Sequence, residues 1–222
     1  MYPDLTSDDI FRIETKRLWL RWPRASDSAA ITEFVSLAEV AQMTRTPYPY
    51  PPGEAERFIL KARADNASRM ALVLAITQKG GAQQPVGLIS AVLVAARDIE
   101  LGYVLAPSAW GKGLGSEAVK ALVDAVFSLT PANLILASSG IDNFASRRVL
   151  EKTGFALVES GVDVLTARGS LCPCDRFELD RKTWAANRRA RGERAPMRPM
   201  AEQPQDATAA KVLAVAARQI EG

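Results

Sequence analysis

Apolar residues follow two rhythms in this chain, and the clearest feature of the sequence is where one gives way to the other. Residues 99–105, I-E-L-G-Y-V-L, form a β-rich apolar run that stops at Pro107. Three glycines follow, Gly111, Gly113 and Gly115. Helical spacing then begins at Leu114, Ala118, Leu122, Ala125, Val126 and Leu129. A strand that feeds a glycine turn into a helix start gathers backbone N–H groups with no partner in the helix, and such a cluster binds an anion. Glycine lets a bulky phosphate approach the backbone closely. The stretch therefore points to a phosphate-bearing cofactor or substrate.

The remaining pattern supplies a frame around that turn. K-R-L-W-L-R-W-P, residues 16–23, predicts a strand with one buried face. Ser26 and Asp27 offer N-cap chemistry for a helix through about Met43. T-R-T-P-Y-P-Y-P-P-G-E is too rich in proline for regular structure; its Tyr48 and Tyr50 either wall a pocket or pack the loop onto the core. A helix from Pro52 or Gly53 to about Asn66 turns Phe58, Ile59 and Ala62 inward. Strands are expected over 70–77, over P-V-G-L-I-S-A-V-L-V-A-A, from Asp98 into the glycine turn, and from Asn133 to Ser139. Asn143 opens a helix that stops at Gly154. F-A-L-V-E-S and D-R-F-E-L-D close the sheet, separated by a loop of about a dozen residues carrying C-P-C. Neighbouring strands mixed with strand–helix–strand crossings predict an α/β or α+β domain. The domain is read as residues 12–184. Residues 185–222 are read as a basic, proline-rich linker followed by a terminal helix that docks on the body or on a second subunit.

Composition removes several chemistries. The 222 residues contain no histidine, which excludes Ser-His and Cys-His hydrolases and His-ligated metal sites. Any general base is then a carboxylate, tyrosine, lysine or water relay. Cys172 and Cys174 lack both the CxxC spacing and a second pair, so they are read as two ordinary thiols in a loop, with no metal site expected. No apolar run approaches the roughly 20 residues that span a bilayer, and the acidic N-terminus has no signal-peptide order, so a cytoplasmic protein without membrane contact is expected.

The formal charge of +3 is uneven. From Arg181 onward nine Lys/Arg stand against four Asp/Glu, a net of +5, leaving 19 basic and 21 acidic residues, a net of −2, in residues 1–180. The basic tail offers a contact to RNA or the ribosome, but no aromatics interleave its arginines, and solvated charge is the simpler account.

The turn itself is neither a Walker A loop, since Gly115 is followed by Ser116 and Glu117, nor a G-x-G-x-x-G dinucleotide fingerprint. W-G-K-G-L-G at 110–115 instead resembles the Q/R-x-x-G-x-G/A loop of the Gcn5-related N-acetyltransferase (GNAT) superfamily, with Trp110 in the place of Gln/Arg. That substitution is characteristic of the RimJ/RimL branch of ribosomal-protein alanine N-acetyltransferases. T-K-R-L-W-L-R at 15–21, E-L-G-Y-V-L at 100–105 and N-F-A-S-R-R-V-L-E-K-T-G-F at 143–155 are similar to motifs of that branch, in the same order.

The resemblance implies a single domain with a mixed, mostly antiparallel sheet of about six or seven strands flanked by helices. It implies direct acetyl transfer from acetyl-coenzyme A to a primary amine, without a metal. The first expectation for the acceptor is a protein N-terminal α-amine; the alternatives are a small amine such as a polyamine, amino acid or drug, a longer acyl group, or a coenzyme A-binding module without turnover. A homodimer is a further possibility of the branch. Tyr103, Val104 and Leu105 are expected to pair with the pantetheine arm. Trp110, Gly111, Lys112, Gly113, Leu114, Gly115 and Ser116 are expected to hold the pyrophosphate. Asn143 is expected near the thioester, or simply as an N-cap. Glu100 is the candidate base, or else an ordinary strand glutamate, with Glu117 behind it as a first-turn acid. Many relatives carry a tyrosine seven residues after the asparagine to protonate the leaving thiolate. Here Leu150 stands there, and Ser146 is the nearest hydroxyl, so either it or a water serves, or the thiolate leaves without a dedicated acid.

Overall fold

A computed structural model of the chain describes residues 11–81, 83–165 and 171–192. One eight-stranded sheet runs through it in the order β1-β2-β3-β4-β5-β6-β8-β7. The strands are β1 (Arg12–Glu14), β2 (Leu18–Arg21), β3 (Ala71–Gln78), β4 (Pro85–Ala95), β5 (Asp98–Leu105), β6 (Leu134–Gly140), β7 (Ala156–Leu165) and β8 (Leu171–Asp180). Every adjacent pair is antiparallel except β5 and β6. That parallel pair needs a crossover, and α4 (Leu114–Leu129) supplies it. Val73 to Thr77 are all buried, as expected of a central strand covered on both faces.

Two apolar layers cover the sheet. On one face α4, α5 (Phe144–Thr153) and α6 (Arg181–Ala190) bury Leu114, Leu122, Phe127, Leu150 and Trp184 against Leu74, Ile99, Leu101, Ile135 and Phe177. On the other, α1 (Ser28–Val35) and α3 (Glu54–Ser68) bring Ile31, Phe34 and Ile59 onto Ala75 and Leu88. Arg21 and Asp27 join β2 to the start of α1 through two hydrogen bonds of 2.7 and 2.8 Å, both residues being buried.

Several sequence expectations change. The helix drawn from Asp27 to Met43 is two helices, α1 and α2 (Ala38–Gln42), with extended backbone at Leu37 between them. Its buried residues explain the break. Ile31, Phe34 and Val35 keep helical spacing, but Val40, also buried, comes nine residues after Ile31, and a straight helix would carry it to the far side. The sheet has eight strands because the three-residue β1 adds an edge. The C-P-C lies in β8 and not in a loop. Gly161, at φ +80°, sits at a register shift and lets β7 and β8 stay paired as far as Leu165 and Leu171. Pro173 stands just beyond the last β6 pairing, Gly140 with Cys174, where its missing N–H costs no ladder bond. Residues 185–190, where the linker was read to begin, are helical. Asp180 caps α6 by accepting from the Thr183 amide at 2.9 Å, and Trp184 packs on Phe127 with ring centroids 5.1 Å apart. The terminal helix expected after residue 206 lies outside the described residues.

Removing one member of a buried ion pair strands the other. Asp27→Ala is expected to cost about 3 kcal/mol of stability, measured by urea unfolding, and a loss below about 1 kcal/mol would show that water replaces the carboxylate around Arg21.

Candidate active site

The site begins where the parallel pair ends. β5 and β6 are paired only from Asp98–Leu134 to Leu101–Ala137. Beyond that, β5 continues with β4 as far as Leu105, while β6 continues with β8 as far as Gly140. The two strands therefore part, and residues 102–105 have no strand partner on their β6 side. The Ala106 amide donates to the Val86 carbonyl at 2.9 Å, toward β4. Alternation along the strand then turns the backbone groups of Gly102 and Val104 toward β4, and those of Tyr103 and Leu105 toward the open edge. Trp110 Nε1 donates to the Leu105 carbonyl at 2.8 Å, which ties the glycine turn to the end of this edge. Tyr103 and Leu105 thus present their backbone groups at the open edge. Val104, between them, faces the neighbouring strand.

The turn from Trp110 leads straight into α4. Gly111 and Gly113 take the left-handed conformation at φ +69° and +73°, which strains any residue with a Cβ. A Cβ on Gly115 would stand 3.1 Å from Leu105 Cδ1 and 3.5 Å from Val149 Cγ2, so the missing side chain lets α4 start hard against β5 and α5. The Glu117 amide is the first to find a helical carbonyl, that of Gly113 at 3.2 Å. The amides of Leu114, Gly115 and Ser116 ahead of it have no carbonyl partner among the described residues. Leu114 points its side chain into the core, Ser116 is half-buried, and Lys112 Nζ bonds back to the Ser108 carbonyl at 2.7 Å.

Glu117 is a structural clamp. Its Oε1 accepts from Thr15 Oγ1 at 2.7 Å and from the Arg17 amide at 2.8 Å, and its Oε2 accepts from Arg17 Nε at 2.6 Å. Arg17 also donates to the Lys112 carbonyl at 2.9 Å. The T-K-R segment and the glycine turn, nearly a hundred residues apart in sequence, are therefore one unit. Burial pushes the Glu117 carboxyl up, but the hydrogen bonds from Thr15 and Arg17 and the Arg17 charge outweigh it and hold it below its ordinary value. A carboxylate so fully engaged is unsuited to proton transfer.

Across the opening stands the first turn of α5. Asn143 caps it, Oδ1 accepting from the Ser146 amide at 3.0 Å. Leu150 is fully buried in the main core. Arg148 is exposed, whereas Arg147 reaches Glu151 at 2.9 Å and Asp175 at 3.4 Å. Asp175 was missed from sequence. It lies on β8 opposite Ser139 of β6, 2% exposed, and accepts from the Ser160 hydroxyl and from Arg147. Neither its isolation in D-R-F-E-L-D nor its spacing marks it. Tyr103 was read for its backbone alone, yet its phenol reaches Ser146.

Glu100 lies on the other face of β5. Its Oε1 is 3.4 Å from Arg45 NH1, its side chain is 37% exposed, and its second oxygen takes no hydrogen bond from the described residues. An exposed pair of this length is worth at most about 1 kcal/mol and opens readily. Arg45 belongs to the proline-rich loop after α2. Tyr50 anchors that loop by packing against the cluster of Ile31, Phe34 and Ile59, burial pushing its hydroxyl up to about 12, while Tyr48 is exposed nearby in the chain. Burial likewise raises the Cys174 thiol, against the opposing pull of Arg45 and Arg176. Among the described residues no three acidic, cysteine or histidine side chains stand together as a metal site, and no helix is long and apolar enough to cross a membrane.

An open strand edge leading to a cradle of free amides fits an extended, amide-bearing chain ending in a pyrophosphate, as in coenzyme A. Comparison with known proteins points the same way. A family model described as acetyltransferase (GNAT) domain matches residues 17–156. Among solved structures, a ribosomal L7/L12 alpha-N-protein acetyltransferase, RimL, in complex with coenzyme A is similar at 18% identity and TM-score 0.67, covering 77% of this chain and 98% of its own. The ribosomal-protein-S5-alanine acetyltransferase of Vibrio fischeri gives 18% and 0.66, covering 78% and 98%. The spermidine N-acetyltransferase of Vibrio cholerae, with coenzyme A and spermine, gives 15% and 0.65, covering 77% and 99%. Among curated proteins there is no significant match.

The clamp has a pH signature. A carboxyl held below its ordinary value of 4.5 contributes stability above that pH and loses it as the pH falls through the folded-state value. Glu117→Gln is expected to cost about 2 kcal/mol at neutral pH. Its deficit against wild type, read from urea unfolding, is expected to shrink on acidification below pH 4.5. A deficit that stays constant with pH would mean that the charge on Glu117 does no work in the clamp.

Proposed function

This chain belongs to the acetyltransferase (GNAT) family, and we propose that it acetylates a protein N-terminal α-amine, with Glu100 as the base. It is an N-acetyltransferase that uses acetyl-coenzyme A. Acetyl-coenzyme A supplies the activated acyl group as a thioester. In this reading the outward-facing backbone of Tyr103 and Leu105 binds its pantetheine arm, and the amides from Gly111 to Ser116 bind its pyrophosphate, with Lys112 adding positive charge. Asn143 holds the first turn of α5 beside the thioester.

The observation that carries the reading is the position of Glu100, on the strand that forms the open edge, with one oxygen on Arg45 and the other taking no hydrogen bond from the described residues. Glu100 draws the proton from the acceptor ammonium through water. The amine then attacks the carbonyl carbon, the C–N bond forms, the C–S bond breaks with its electrons on sulfur, and the second proton shed by the nitrogen passes through water to the departing thiolate. An α-amine, with a pKa of about 7.7–8.0, is partly neutral at physiological pH, whereas an alkylamine near 10.4 asks far more of a half-exposed carboxylate. The charge around Glu100 favours the same choice. Arg45 pairs with it at 3.4 Å. A cation beside the base disfavours a polyamine and suits an uncharged or acidic peptide.

The test is a panel of N-terminal peptides against spermidine, amino acids and other small amines, with kcat/KM measured for each. Peptides are expected to lead, and spermidine leading would reverse the acceptor assignment. Glu100→Gln is expected to lower kcat about a hundredfold near pH 6.5, with the deficit narrowing as the pH rises past the acceptor's own pKa and neutral amine becomes abundant. An equal deficit at every pH would remove Glu100 from the proton path.

A further inference from the structure

The hydroxyl that α5 lacks at Leu150 has a counterpart on the facing strand. From β5, the Tyr103 phenol oxygen lies 2.8 Å from Ser146 Oγ and 3.2 Å from the Ser146 carbonyl oxygen. The Tyr103 ring packs against the main core, so the phenol is held at this spot and does not swing in solvent. The phenol has one proton to share between these two oxygens, and either hydroxyl can donate across the shorter contact. The Ser146 amide is already used by Asn143 Oδ1 at 3.0 Å. When the phenol donates to Ser146 Oγ, the Ser146 hydroxyl proton is left without an acceptor among the described residues and is available to a ligand between β5 and α5.

We propose that Tyr103 is a positioning residue whose hydroxyl orients Ser146 so that the Ser146 O–H donates a hydrogen bond to the sulfur of coenzyme A. The inference rests on the reading that the opening takes acetyl-coenzyme A, and it assigns a role to the β5 phenol that reaches α5 there. Burial raises the Tyr103 hydroxyl to about 12, so the phenol keeps its proton throughout the working pH range and acts as a fixed donor. No proton leaves Tyr103 or Ser146. The chain of donors, phenol to serine to sulfur, stabilises negative charge on sulfur as the C–S bond breaks, and each link polarises the next.

The experiment reads the thiol itself. Coenzyme A is bound to wild type, Tyr103→Phe, Ser146→Ala and the double variant, and its thiolate is followed during a pH titration by ultraviolet difference absorbance against the ligand-free protein. The bound thiol is expected to ionise at a pH lower by about half a unit or more in wild type than in either single variant. The double variant is expected to shift no further than Ser146→Ala alone. In steady-state kinetics Tyr103→Phe is expected to lower kcat about tenfold with the KM for acetyl-coenzyme A within about twofold. Equal thiol ionisation in wild type and Tyr103→Phe, or shifts that add in the double variant, would overturn the inference while leaving the acetyltransferase reading intact. Failure of wild type to bind coenzyme A at millimolar ligand would overturn that reading first and this inference with it. Tyr103→Phe keeps the ring and its packing, and an unchanged urea midpoint confirms that the effect is not unfolding.

Discussion

Everything in this site depends on two parallel strands that bond for four residues and then separate. While β5 and β6 are paired, from Asp98 to Leu101 on one and Leu134 to Ala137 on the other, they are ordinary sheet. Past that point each keeps its outer partner and loses its inner one. A strand edge inside a sheet is normally satisfied on both sides, so an unpaired inner edge is a place where a ligand's amides can complete the ladder. The α4 crossover makes the separation possible: it leaves β5 at the glycine turn, crosses the sheet face, and delivers the chain to β6. The anion cradle at its N-terminus therefore lies at the far end of the same edge. The open edge and the amide cradle share one cause.

A split sheet is mechanically weak unless its margins are held. The Thr15–Arg17–Glu117 clamp holds the start of α4 and the glycine turn to the β1–β2 corner. Trp110 ties the other end of the turn to Leu105, which gives a tryptophan at that position a physical purpose: its indole N–H reaches a carbonyl that has lost its strand partner. On the far margin, Asp175 gathers Arg147 and Ser160, joining α5 to β7 and β8. These contacts use side chains from segments separate in sequence.

Chemistry without histidine is consistent with this frame. Direct transfer from a thioester to an amine needs a modest base, a bound donor and stabilisation of developing charge, and none of these requires imidazole. The two faces of β5 divide the work. Glu100 stands on the face that also carries Arg45 and the tyrosine loop, and Tyr103 stands on the face of α4 and α5. One strand thus offers a carboxylate on one face of the sheet and a phenol on the other, a direct result of the period-two alternation of a strand.

The sequence by itself determined the strand–turn–helix at 99–129, the apolar strands, the helix opened by Asn143 and ended by Gly154, and the family, because all of these are written in local spacing and in glycines whose backbone only glycine tolerates. It also carried Glu117 and T-K-R as separate motifs without revealing that they touch. Tertiary structure alone decided that β5 and β6 part after Leu101, that Glu117 is spent on a clamp, that the C-P-C is strand, that Asp175 is buried, and that the Tyr103 phenol meets Ser146. Each of these depends on contacts between residues tens to a hundred positions apart, and strand pairing, burial and hydrogen-bond partners at that separation leave no periodic trace in the chain.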